Sequence, residues 1–252
     1  MIHTRLIPVL LIHQGGIYKT TKFKKPIYIG DPINTIRLLN EMEVDEIVIL
    51  DIDASKQKKD PNYEMIMELA SEAFMPVAYG GGLRTIEQAK KILNCGIEKI
   101  VINYAAQQSG ELIKDCSRQF GSQSVVSSID YSKSLIGGNR QYDHVTRKQL
   151  IKSPIEAAKI AQKMGAGEIL LTSVDREGSM QGLDVELIHE VNQQLEIPLI
   201  ICGGAGTLEH LKQAQKAGAS AIAGGSMFIF RGNKRGILIN YPNESLLRQY
   251  LN

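Results

Sequence analysis

Cysteine is scarce in this 252-residue sequence, with three in all. Cys95, Cys116 and Cys202 are an odd number without metal-ligand spacing, which excludes a disulfide framework and suits a reducing compartment. An excess of one charge is also missing. Lys and Arg number 29 against 27 Asp and Glu, a formal net charge of +2, so no strong field points to nucleic acid or to a membrane surface. No run of about 18 apolar residues exists to span a bilayer, and the apolar stretch in MIHTRLIPVL is too short for a signal peptide. The five histidines, His3, His13, His144, His189 and His210, show no metal-binding spacing, so neither metal nor cofactor is expected. No linker or low-complexity break interrupts the chain. What remains is one soluble, cytoplasmic domain over residues 1–252, long enough to bury a sizeable core.

Short apolar runs alternate with segments of helical period. The strand candidates are residues 5–10, 46–51, 76–80, 99–103, 124–129, 168–172, 198–203 and 221–225. Continuous runs rich in Val, Ile and Leu, separated by helices, are what a parallel sheet covered on both faces requires. Helix starts are marked by Asp31 before Pro32, by Ser153 before Pro154 with Glu156 at the third helical position, and by Thr85 and Thr207. Gly96, Gly165 and Gly218 mark helix stops. Eight strand–helix units predict an α/β fold, a single (β/α)8 TIM barrel.

The chain also repeats itself. DEIVILDID at 45–53 lies over GEILLTSVD at 167–175, an offset of 167 − 45 = 122. At the same offset Pro76, Gly81, Gly82, Thr85, Glu87 and Gly96 lie over Pro198, Gly203, Gly204, Thr207, Glu209 and Gly218. A constant offset through strand, loop and helix predicts two duplicated half-barrels, approximately 1–122 and 123–252.

Barrel sites form where strands end and βα loops begin. The repeat therefore predicts two phosphate sites. One comprises Gly81 and Gly82 with Asn103 and Tyr104; the other comprises Gly203 and Gly204 with Gly225 and Ser226, joined by Gly178. Glycine lets backbone N–H groups approach phosphate oxygens, though each pair also suits a tight turn. Two cradles imply an elongated ligand, a small molecule phosphorylated at each end. Lys19, Lys22, Lys24 and Lys25 crowd the segment after the first strand, either as a solvated loop or as a mobile lid that attracts an anion. Lys19, nearest the strand, is the best single candidate. Asp51, Asp130 and Asp175 stand at strand ends, where carboxylates act as general acids and bases; Asp51 is read as a hydrogen-bonding support. Overlaying the first strand on the fifth sets Leu11 opposite Asp130, so a two-carboxylate site has lost half its pair.

The segments DPINTIRLLNEMEVDEIVILDIDAS, PVAYGGGLRTIEQA, FGSQSVVSSID, GAGEILLTSVDREGSMQGLD and IICGGAGTLEHL together resemble the cyclase subunit of imidazole glycerol phosphate synthase over essentially the whole chain. The resemblance implies a barrel of two half-barrels that binds a two-phosphate ribonucleotide and pairs, as a heterodimer, with a glutaminase (glutamine amidotransferase) subunit that feeds it ammonia. It assigns Asp130 as one of two catalytic aspartates and Lys19 as the active-loop lysine. It places Gly82, Asn103 and Tyr104 at one phosphate, and Gly178, Gly204, Gly225 and Ser226 at the other. A charged ring, Arg5, Glu46, Lys99 and Glu168, matches the ammonia gate at the N-terminal end, with Glu98 beside it as an acidic docking position.

Three departures stand out. Leu11 replaces the first catalytic aspartate, Tyr104 replaces a small hydroxyl residue, and Glu177 replaces the usual Asp before Gly178. RLIPVLLIHQGGIYKT with KFKKPIYIGDP resembles instead a paralogous branch associated with bacterial surface-polysaccharide biosynthesis. There the barrel and glutaminase supply ammonia to a sugar amidotransferase acting on an N-acetyl sugar. Two other readings stay open: a lyase of histidine biosynthesis in which Asp130 acts with a water or His13, and a non-catalytic conduit or scaffold that activates the glutaminase.

Overall fold

The fold follows from local signals that all agree on alternation. In this computed structural model, which describes residues 4–232 and 234–251, His3 lies outside the described residues. The first part of the chain runs β1 (Arg5–His13), β2 (Gly16–Thr21), β3 (Lys24–Gly30), α1 (Pro32–Glu41), β4 (Ile47–Asp51), α2 (Ala54–Gln57), α3 (Tyr63–Glu72), β5 (Val77–Gly80), α4 (Ile86–Asn94), β6 (Lys99–Ile102), α5 (Tyr104–Gln108) and α6 (Glu111–Phe120). The second part runs β7 (Val125–Lys133), β8 (Asn139–Asp143), β9 (Lys148–Gln149), α7 (Pro154–Lys163), β10 (Glu168–Ser173), α8 (Val185–Asn192), β11 (Leu199–Cys202), α9 (Leu208–Lys216), β12 (Ala221–Gly224) and α10 (Ser226–Ile229). Short β13 (Phe230–Arg231) and β14 (Gly236–Ile237) precede α11 (Glu244–Leu251).

Strands β1, β4, β5, β6, β7, β10, β11 and β12 pair in parallel in that order, and β12 closes back onto β1. This is the (β/α)8 barrel the alternation predicts. The caps read from the sequence form. Asp31 accepts the Asn34 N–H at 2.9 Å. Thr85 with Gln88, and Ser153 with Glu156, make reciprocal capping boxes, each of which satisfies two otherwise orphaned N–H groups. Gly96, Gly165 and Gly218 end their helices at positive φ.

Each of the eight barrel strands is buried on both faces over most of its length. Leu6, Leu10 and Ile12 of β1 pack outward against the helices. Ile7, Val9 and Leu11 point into the barrel with Val48, Val101, Leu170 and Ile200. The strand register repeats with the sequence offset: Ile47 faces Val77 and Ile169 faces Leu199, while Ala78 faces Lys99 and Ile200 faces Ala221.

Two strands run past their expected ends. β1 continues to His13 and β7 to Lys133 because each turns back into an antiparallel extension, β2–β3 and β8–β9. The lysine-rich segment expected as a loop or mobile lid is thus a paired hairpin. Its tip is the two-residue turn Lys22–Phe23, with φ values of 54° and 57°. Those are type I′ values, ordinarily signalled by Asn-Gly or Asp-Gly, so no turn residue betrayed it. Among the described residues, no helix is long and apolar enough to cross a membrane.

Candidate active site

Barrel strands present alternate side chains to the axis, so charged residues at strand starts meet at the N-terminal end. Arg5 donates to Glu46 at 2.5 Å and to Glu168 at 2.6 Å. Lys99 lies 3.0 Å from each of the same two carboxylates. The four expected ring residues therefore close a cycle of alternating sign, in which both glutamates are buried. Glu98 is exposed beside it.

At the opposite, C-terminal end, one cavity gathers the residues singled out in the sequence. Leu11, Lys19, Gly81, Gly82, Asn103, Tyr104, Asp130, Gly178, Gly203, Gly204, Gly225 and Ser226 all line it. The register confirms the overlay: Leu11 pairs with Leu50 and Asp130 with Thr172, and 172 − 50 = 122. The two positions are equivalent in the two halves. Leu11 is 8% exposed in an apolar floor with Val9, Leu50, Val101 and Cys202. Burial pushes the Cys202 thiol up and away from thiolate chemistry.

Asp130, 5% exposed, is held by named donors. Asn103 Nδ2 donates to its Oδ2 at 2.9 Å. Gln107 Nε2 fixes Asn103 through Oδ1 at 3.0 Å and reaches the Tyr142 carbonyl at 3.2 Å. His144 Nδ1 sits 3.5 Å from the same Oδ2. Sequence reasoning passed over His144; its signal was a histidine in the extension that returns over the fifth barrel strand. His13 was the weighed alternative and does not line the cavity. Its Nδ1 lies 2.8 Å from Asp53, and its ring packs edge-on against Tyr18.

Lys19 is buried and ion-paired to Glu177. Glu177 also accepts from the Thr20 hydroxyl at 3.1 Å and the Phe23 N–H at 3.3 Å. Glu177 thus pins the hairpin over the cavity, and Phe23 meets Tyr142 of the other extension edge-to-face. Burial lowers the Lys19 ammonium to about 8, because a desolvated cation is disfavoured. Lys22 and Lys24 also line the cavity, whereas Lys25 does not.

Two glycines have visible reasons. A side chain at Gly225 would meet Lys19 Cε at 2.7 Å, and one at Gly204 would collide with the Gly182 carbonyl. Gly81, Gly82, Gly203 and Gly204 all take positive φ, so the tight-turn reading holds for both pairs alongside the cavity-lining one. The Ser226 hydroxyl is buried without a partner among the described residues, which suits an acceptor group of a ligand. Asp51 also lines the cavity; its Oδ1 accepts the Asp53 and Ala54 N–H groups at 2.8 and 3.0 Å, the supporting role expected of it. Asp175 accepts the Lys133 N–H at 2.7 Å and stays out of the cavity. Among the described residues, no group of three His, Cys, Asp or Glu side chains could hold a metal ion.

A family model described as histidine biosynthesis protein matches residues 5–233. A relative from Pseudomonas aeruginosa, provisionally named imidazole glycerol phosphate synthase subunit hisF2, is 46% identical over 98% of this chain and 99% of its own length. Another from Vibrio vulnificus, provisionally named imidazole glycerol phosphate synthase subunit hisF3, is 40% identical over 97% and 95%. One from Exiguobacterium sibiricum, named imidazole glycerol phosphate synthase subunit HisF, is 37% identical over 90% and 91%.

Proposed function

This chain belongs to the histidine biosynthesis protein family, and from that premise we propose that it is an ammonia-receiving barrel that has changed its reaction. A glutaminase docks at the end carrying Arg5, Glu46, Lys99 and Glu168 and forms a heterodimer with the barrel. Ammonia enters through that ring and moves along the barrel interior. A small molecule with two phosphates occupies the cavity, one phosphate against Gly81, Gly82, Asn103 and Tyr104. The other lies against Gly178, Gly203, Gly204, Gly225 and Ser226, near Lys19. The ammonia serves amidation of an N-acetyl sugar in surface-polysaccharide biosynthesis, with a separate sugar amidotransferase as the acceptor enzyme.

The observation that carries this reading is Leu11. It occupies the position equivalent to Asp130, it is buried, and an isobutyl group cannot move a proton. Losing one general acid or base costs about 10²–10⁴-fold in rate. The intact ring supports retention of ammonia handling, since four buried or half-buried charges at one barrel end are costly to keep without a use.

The test is turnover of the two-phosphate histidine-pathway ribonucleotide with ammonium salt, which bypasses the glutaminase. Imidazole product is expected at least about a hundredfold more slowly than from an ordinary cyclase subunit. Turnover at the ordinary rate would overturn the reading in favour of histidine biosynthesis. With glutaminase and sugar amidotransferase present, Asp130→Asn is expected to abolish amidation. Unchanged amidation would instead make the barrel a conduit or scaffold.

A further inference from the structure

We propose that His144 and Asp130 form one proton-sharing couple, so that the C-terminal half of the site supplies both an acid and a base; this rests on the reading that Asp130 handles a proton in the cavity. His144 Nδ1 is buried, without a full hydrogen bond, and lies 3.5 Å from Asp130 Oδ2. The imidazole lines the same cavity as the carboxylate. Asp130 Oδ2 accepts from Asn103 and faces His144, and among the described residues no donor is seen on Oδ1.

His144 is also held in place. Asp143, the preceding residue, accepts the Val145 and Thr146 N–H groups at 2.8 and 3.2 Å and the Thr146 hydroxyl at 2.7 Å. That side-chain turn fixes the chain on either side of the histidine. The Gln107 bridge from Asn103 to the Tyr142 carbonyl ties this turn to the residue that follows β6, and Asn103 in turn donates to Asp130 of β7. The same amide therefore sets both Asp130 and the loop that delivers His144.

The chemistry balances. A proton taken from the ligand onto Asp130 Oδ1 neutralises the carboxylate, and the imidazolium beside it gives one proton up to the ligand. No bond other than these proton transfers is made or broken, and the couple regains its two charges when one proton passes from Asp130 to His144. Leu11 needs to contribute nothing, whereas His13, turned to Asp53, cannot take part.

The test reads the histidine tautomer by ¹⁵N NMR of the full chain at alkaline pH, with His144→Gln to assign the signal. A neutral imidazole that faces a carboxylate through Nδ1 must carry its proton there, although free imidazole prefers the other nitrogen. The Nδ1–H form is expected in the wild type and is expected to be lost in Asp130→Asn. An Nε2–H form in both would overturn the couple. Kinetics with the glutaminase and sugar amidotransferase separate the couple from the reading beneath it. His144→Gln is expected to lower kcat about a hundredfold with KM within about twofold, and the double variant to be no worse than the poorer single one. If the tautomer is as expected but both single variants amidate at full rate, the proton-handling reading of the cavity falls.

Discussion

The two halves of the barrel have one plan and unequal contents. In each, the leading strand runs beyond the barrel into an antiparallel extension, β1 into β2–β3 and β7 into β8–β9. At equivalent positions the first half presents Leu11 and the second Asp130. The first extension delivers a cation, Lys19, pinned by Glu177; the second delivers His144 to the carboxylate. A repeated backbone does not need repeated chemistry, because register is set by strand pairing and buried apolar faces, while one side chain per half decides what can be done at the strand ends. One half places a paired lysine in the cavity, and the other a carboxylate with a histidine beside it.

Removing the chemistry from the second half should have the largest effect. Asp130→Asn is expected to lower the rate of any cavity reaction by about 10²–10⁴-fold, measured as kcat in the glutamine-dependent amidation assay. Making the halves alike comes next. Leu11→Asp puts a carboxylate into an apolar floor without a donor, which raises its pKa and costs about 3–5 kcal/mol if it ionises. Urea unfolding at neutral pH measures this, and a cost near zero would show that the floor admits water. If this variant forms imidazole product where the wild type does not, the first half has lost only its side chain and kept its shape.

A change to the shared ring should have a comparable or smaller effect. Glu46→Gln leaves Arg5 and Lys99 with one carboxylate between them. Because both cations are partly solvated, the cost is expected below that of a fully buried pair, about 1–3 kcal/mol, read again by urea unfolding. The smallest effect concerns pH and the first half alone. Lys19 is lowered to about 8 by burial, so it is charged below that pH and increasingly neutral above it. Affinity for inorganic phosphate in the cavity is expected to weaken as pH rises through about 8. Calorimetry on Lys19→Met should lose that slope; an identical slope in the variant would assign it elsewhere.

Much of this arrangement was legible in the residues. Caps, helix stops and apolar runs located the barrel, and the offset of 122 picked out the paired glycines that line the cavity, because these depend on local backbone rules. The β2–β3 hairpin was not legible, since Lys22 and Phe23 adopt positive φ without a turn residue to announce it. His144 was missed for a related reason: its neighbour Asp130 is 14 residues away, and only the pairing of β7 with β8 brings them together. The ring was legible only through the family resemblance, since alone its residues are ordinary charges at strand starts, and its closure into a cycle depends on the barrel's circumference.

That cycle has an electrical consequence. Arg5 and Lys99 alternate with Glu46 and Glu168, and each cation touches both anions. Two positive and two negative charges so placed sum to zero, and the opposing pair dipoles largely cancel. The leading moment is then a quadrupole, whose field fades much faster with distance than that of a single charge. The ring itself is electrically quiet at a distance despite its four formal charges. An ion approaching along the axis therefore gains no long-range steering from these four charges.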